Sequence, residues 1–192
     1  MNKKAFGSVF LALSLLLAAC GNNEKGMDEK KKKHEDAEQD HGSMDHGEMN
    51  HSGSGDVPKG LEKAKNPEFK VGSTAVINAD HMAGMDGAKA TISGAFDTTV
   101  YTVTYTPTTG GEKVTDHKWV IHEELKDAGD QPLKPGSEVT LDADHMKGMK
   151  GAKAVIDSAE QTTVYMVDYT PTTGGKKVKN HKWVTESELS AE

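Results

Sequence analysis

Hydrophobic and polar positions fall into three regimes along the 192 residues. Phe6 to Leu17 is a mostly apolar run behind Lys3 and Lys4. It is too short to cross a bilayer comfortably and no stop-transfer pattern follows, which predicts a signal segment. From residue 21 to about 56 the chain has almost no apolar bulk except methionine, which predicts solvated chain. Beyond that, apolar residues arrive in short bursts of strand length. Ala75-Val76-Ile77 and Val139-Thr140-Leu141 are such runs, as are Ala90-Thr91-Ile92 and Ala154-Val155-Ile156. Tyr101, Val103 and Tyr105 alternate with threonines and point one way, and Tyr165, Val167 and Tyr169 likewise point one way. Trp119-Val120 and Trp183-Val184 predict a further strand, and Glu124-Leu125 and Glu188-Leu189 a short closing element. No long amphipathic helix is expected.

These bursts come in pairs because the chain is internally duplicated. Residues 72–125 align without gaps to 136–189, with 34 identities in 54 positions. The loop Ala79-Asp80-His81-Met82-Ala83-Gly84-Met85 returns as Ala143-Asp144-His145-Met146-Lys147-Gly148-Met149. The turn Pro107-Thr108-Thr109-Gly110-Gly111 returns as Pro171-Thr172-Thr173-Gly174-Gly175, and His117-Lys118-Trp119-Val120 as His181-Lys182-Trp183-Val184. About five short strands in under 60 residues predict an all-β fold with two tandem small SH3-like β-barrels. The expected division is 1–19 signal peptide, 20–56 disordered tether, 57–126 first barrel, 127–135 linker and 136–192 second barrel.

Composition supports this and narrows the function. Hydrophobic residues are 34% and aromatics 5%, too few for one large core. The net charge is −7 and every basic side chain is lysine, which argues against a nucleic-acid partner. The single cysteine excludes an internal disulfide framework and a thiolate zinc cluster. It closes Leu17-Ala18-Ala19-Cys20, which resembles a bacterial lipobox. Cys20 is therefore the expected lipidation site, placing the mature protein on the extracytoplasmic face of the cell membrane, anchored but not spanning.

Candidate chemistry lies in the nine histidines and nine methionines. In the tether, His41, His46 and His51 recur every five residues, with Met44 and Met49 between them at the same period. Thioether and imidazole are neutral donors suited to Cu(I), and neither requires a reduced thiol outside the cell. In each repeat a glycine-containing loop brings together His81, Met82 and Met85, or His145, Met146 and Met149. Curling of those loops would let one imidazole and two thioethers converge on an ion, with His117 and His181 near enough to complete the sites. Structural packing is the competing account of the loop methionines, and core burial that of the tryptophans. The methionine without a repeat partner of its own type, Met166, is expected to pack.

Catalysis has little support: there is no nucleophile elbow, phosphate loop or His-Glu-x-x-His helix. His122-Glu123-Glu124 closes the first copy, and Glu186-Ser187-Glu188 stands there in the second. No enzyme activity is expected.

With its lipobox, His/Met-rich tether and tandem Asp-His-Met-x-Gly-Met-x-Gly-Ala blocks, the chain resembles the YdhK-like lipoproteins of Gram-positive bacteria. That resemblance spans essentially the whole chain and implies copper binding at the surface in copper tolerance, without assigning ligands. The expected function is sequestration of copper or its transfer to an exporter or oxidase. The alternative is an envelope module that binds cell-wall polymer or a protein.

Overall fold

The computed structural model describes residues 52–192. Cys20, His41, Met44, His46, Met49 and His51 lie outside the described residues, as does the signal segment. Within them the protein is all-β, an open antiparallel sheet of nine strands with two 3-10 turns. The strands are β1 (Glu62–Lys63), β2 (Thr74–Ile77), β3 (Lys89–Tyr105), β4 (Val114–Ile121), β5 (Leu125–Lys126), β6 (Glu138–Leu141), β7 (Lys153–Tyr169), β8 (Val178–Thr185) and β9 (Leu189–Ser190). The 3-10 turns, His122–Glu124 and Glu186–Glu188, lead into β5 and β9.

The pairs of short strands expected around residues 90–105 and 154–169 are each one strand of 17 residues. Thr98, Thr99, Val100, Thr102 and Val103 favour extended backbone, and no proline interrupts the run. Register shifts between Ile92 and Gly94 and between Thr102 and Val103 bend the ladder, so that one strand can serve two cores. Gly94 has a steric reason. A Cβ there would sit 2.6 Å from the ring of Phe96.

β3 and β7 pair antiparallel along nearly their whole length, from Ala90 opposite Tyr169 to Tyr105 opposite Ala154. That register is symmetric under the 64-residue repeat. β2, β1 and β4 follow one another along the far edge of β3, while β6 and β8 flank β7. The closing strands cross over: β9 of the second repeat pairs with β2 of the first, and β5 of the first with β6 of the second.

The expectation of one self-contained barrel per repeat is therefore corrected. One core joins Ile77, Met85 and Ile92 of the first repeat to Tyr165, Tyr169 and Leu189 of the second. The other joins Tyr101, Tyr105 and Leu125 to Leu141, Met149 and Ile156. A third cluster lies where they meet and contains Phe96, Val100, Trp119, Val164, Met166 and Trp183. The physical reason is the unbroken long strand, which carries each chain half out of its own repeat and into the other. The tryptophans and Met166 are buried.

Candidate functional site

Each His-Met loop leaves the sheet after β2 or β6 and tightens into a turn. Met85 N–H donates to Met82 O (3.1 Å) and Gly87 N–H to Ile77 O (2.9 Å), and Met149 and Gly151 repeat the pattern. Gly84 has φ +80 and Gly148 φ +79, conformations that glycine adopts without the strain of a side chain. The loop is clamped by the Pro-Thr-Thr-Gly-Gly turn of the opposite repeat. Thr172 N–H donates to Gly84 O (2.9 Å), and Thr108 N–H to Gly148 O (2.8 Å). A Cβ on either glycine would lie 2.6 Å from a threonine Oγ1 in that turn.

The turn divides the expected donor set. Met85 and Met149 are fully buried, one in each exchanged core. The convergence of one histidine with two methionines is not what the structure shows. The alternation of the tight turn sends the second methionine inward, where it packs, and leaves His81, Met82, His145 and Met146 along a cleft. Met146 is 44% exposed, and Met82 is partly buried against the first core.

Both loop histidines are held by a carboxylate from the other repeat. His81 Nε2 lies 2.8 Å from Glu188 Oε1, whose Oε2 accepts from Trp119 Nε1–H (2.8 Å) and Thr185 N–H (3.0 Å). On the other side His145 Nε2 lies 2.8 Å from Glu124 Oε1, and Glu124 Oε2 accepts from Trp183 Nε1–H (3.0 Å) and Ile121 N–H (3.3 Å). These side chains are only 6–13% exposed. Burial alone would raise the Glu188 carboxyl, but the hydrogen bonds from His81, Thr185 and Trp119 prevail and hold it at about 2. Nδ1 of His81 is buried without a hydrogen-bond partner.

His117 joins the loop of the opposite repeat. Its ring centroid is 6.2 Å from that of His145, and Tyr105 meets it edge-on at 5.9 Å. Burial, followed by the charges of His145 and His81, lowers its pKa to about 4 against the pull of Glu124. It is a neutral imidazole at pH 7, and its buried Nε2 has no hydrogen-bond partner. Tyr169 contacts His181 edge-on in the same way. Tyr105 O–H points at Met146 Sδ, 3.9 Å away. One cleft of about 1220 Å³ is lined by His81, Met82, His117, His145, Met146 and His181 together. Of the eight repeat-domain residues expected as ligands, the fold thus gathers six. His122, in contrast, is engaged by Tyr101 O–H (2.9 Å) and Gly129 O (2.8 Å).

The sequence pattern of the family described as "Protein of unknown function (DUF1541)" matches residues 71–122 and again 135–186. The chain belongs to the DUF1541 family. It is 60% identical to the "Uncharacterized protein YdhK" of Bacillus subtilis (strain 168), over all of this chain and 90% of that one. A crystal structure of the DUF1541 family protein ydhK from Bacillus subtilis superimposes with a TM-score of 0.74 at 69% identity, covering 77% of this chain and 100% of that one. A solution NMR structure of the ydhK C-terminal domain gives 0.62 at 69% identity, covering 65% and 94%.

Each DUF1541 match ends two residues before the carboxylate that holds the opposite repeat's histidine, Glu124 or Glu188. Sequence reasoning missed both as site residues. The signal was present: of the five residues in Ile121-His122-Glu123-Glu124-Leu125, only Glu and Leu persist in Thr185-Glu186-Ser187-Glu188-Leu189. Among the described residues no three of His, Cys, Asp and Glu already form a metal-holding group. The donors along the cleft are imidazole and thioether beside carboxylates, Asp80, Asp116, Asp144 and Glu124 among them.

Proposed function

We propose that this protein binds copper, as Cu(I), in the cleft between its exchanged halves, and that Cys20 lipidation holds it on the outer face of the cell membrane. The observation that carries the reading is the pairing of orphaned imidazole nitrogens, His81 Nδ1 and His117 Nε2, with the thioethers of Met82 and Met146 along one cleft. A buried nitrogen without a partner is a costly feature in a fold, and a soft cation relieves it. Thioether with neutral imidazole suits Cu(I), whereas Zn(II) would draw on the imidazoles together with the carboxylates that also line the cleft. The role is sequestration or delivery to an exporter or oxidase.

The test is titration of the mature chain with Cu(I) against a competing chelator, with Zn(II) in parallel. The expected result is stoichiometric Cu(I) binding that weakens when Met82 and Met146 are replaced together, with Zn(II) held less tightly. No competition for Cu(I) at any ratio ends the proposal. Retention of Zn(II) equal to that of copper points instead to a site made by histidine alone.

A further inference from the structure

We propose that Glu124 and Glu188 are positioning residues that choose which nitrogen of His145 and His81 is offered to the ion, an inference that rests on the copper reading of the cleft. Each carboxylate is fixed before it meets its histidine. Glu188 Oε2 is held by the Trp119 indole and the Thr185 amide, and Glu124 Oε2 by the Trp183 indole and the Ile121 amide. The remaining oxygen, Oε1, meets imidazole Nε2 at 2.8 Å in both copies. An ionised carboxylate only accepts, so a neutral imidazole at this distance carries its proton on Nε2 and keeps its lone pair on Nδ1. His81 Nδ1 is the very atom left buried with no partner, in a side chain 8% exposed. An outer carboxylate of this kind fixes ring orientation and raises the basicity of the donor nitrogen.

The arrangement also crosses the repeats. His81 and Trp119 belong to the first copy and Glu188 to the second; His145 and Trp183 belong to the second and Glu124 to the first. Neither repeat contains a complete set by itself.

The experiment is long-range ¹H–¹⁵N NMR of the histidine rings in the metal-free mature protein at neutral pH, for wild type, E124Q and E188Q. His81 and His145 are expected as Nε2–H tautomers in wild type. E188Q should mix the tautomers at His81 while leaving His145 unchanged, and E124Q should do the reverse. Cu(I) titration of the same samples should show roughly 10- to 100-fold weaker binding at the affected site. An Nδ1–H tautomer in wild type overturns the proposal, and that spectrum needs no variant that could fail to fold. Unchanged tautomer and affinity in both variants overturns it as well. The correct tautomers in a protein that binds no Cu(I) overturn the copper reading while leaving the carboxylates' hold on the rings in place.

Discussion

Thr98 lies directly opposite Thr162, its own counterpart in the second repeat, at the middle of the β3–β7 ladder. Only an axis of two-fold symmetry passing between the two strands at that point produces such a pairing. Asp97 faces Thr163 while Thr99 faces Gln161, and the pattern continues outward to both ends. The duplication is thus expressed as an internal dimer in which each repeat completes the other.

The first prediction follows from that axis. A single repeat, residues 57–126 or 136–192 expressed alone, lacks half of each core and should not persist as a folded monomer. It should associate into a two-fold dimer through its long strand or remain unfolded. Sedimentation and circular dichroism across a concentration series distinguish these outcomes from a stable monomer, which would contradict the exchange.

The two kinds of loop methionine should separate experimentally. M85A and M149A open cavities in cores where the side chain is fully buried, and each should cost about 2–5 kcal/mol in urea denaturation. M82A and M146A, along the cleft, should change stability by less than about 1 kcal/mol while weakening Cu(I) binding. A reversal of the two patterns would place the ligands in the core.

Gly84 and Gly148 should tolerate no side chain. G84A forces a Cβ against Thr173 Oγ1 and Pro171 at a φ of +80, and a loss of about 1–3 kcal/mol is expected. Thermal melts of G84A beside G110A, where a Cβ meets nothing within 4 Å, separate the clash from backbone strain alone.

Acid should weaken the fold in two steps. The unfolded chain protonates His117 near 6.5, whereas the folded protein resists to about 4, so stability falls as pH drops through that window. Glu188 protonates near 4.5 when unfolded and about 2 when folded, so its contribution is present above 4.5 and is lost between 4.5 and 2. Each window spans about 2.5 pH units, so at about 1.4 kcal/mol per unit each step amounts to about 3–4 kcal/mol. Urea midpoints measured from pH 7 to pH 3 should lose the upper step in H117Q and most of the lower step in E188Q.

Much of this was legible in the residues. The duplication, the all-β character, the turns and the burial of both tryptophans follow from local pattern, and so does the grouping of His with Met. What pattern did not reveal are the relations between distant segments. Ser93-Gly94 reads locally as an interruption between two strands, yet it is a bend within one strand, because the partner β7 supplies hydrogen bonds on both sides of it. Met82 and Met85 read as equivalent donors, and only the turn geometry shows that one packs and one lines the cleft. Glu124 and Glu188 are ordinary surface residues by sequence; their partners are 21 and 107 residues away along the chain.

The symmetry is broken by what runs up to the repeats. Gly53 N–H donates to Lys179 O, Lys179 N–H donates to Ser52 Oγ, and the Lys182 ammonium donates to Asp56 O, so residues 52–56 lie along β8. The matching ammonium of the first repeat, Lys118, stands 5.2 Å from the centre of the Trp119 ring, as Lys182 stands 5.8 Å from that of Trp183, so the asymmetry lies in residues 52–56. Two sets of donors related by a dyad thus sit under unequal cover along one rim. On the copper reading proposed above, such a pair would fill in sequence and not together, which would spread buffering over a wider span of free-ion concentration than two identical sites reach.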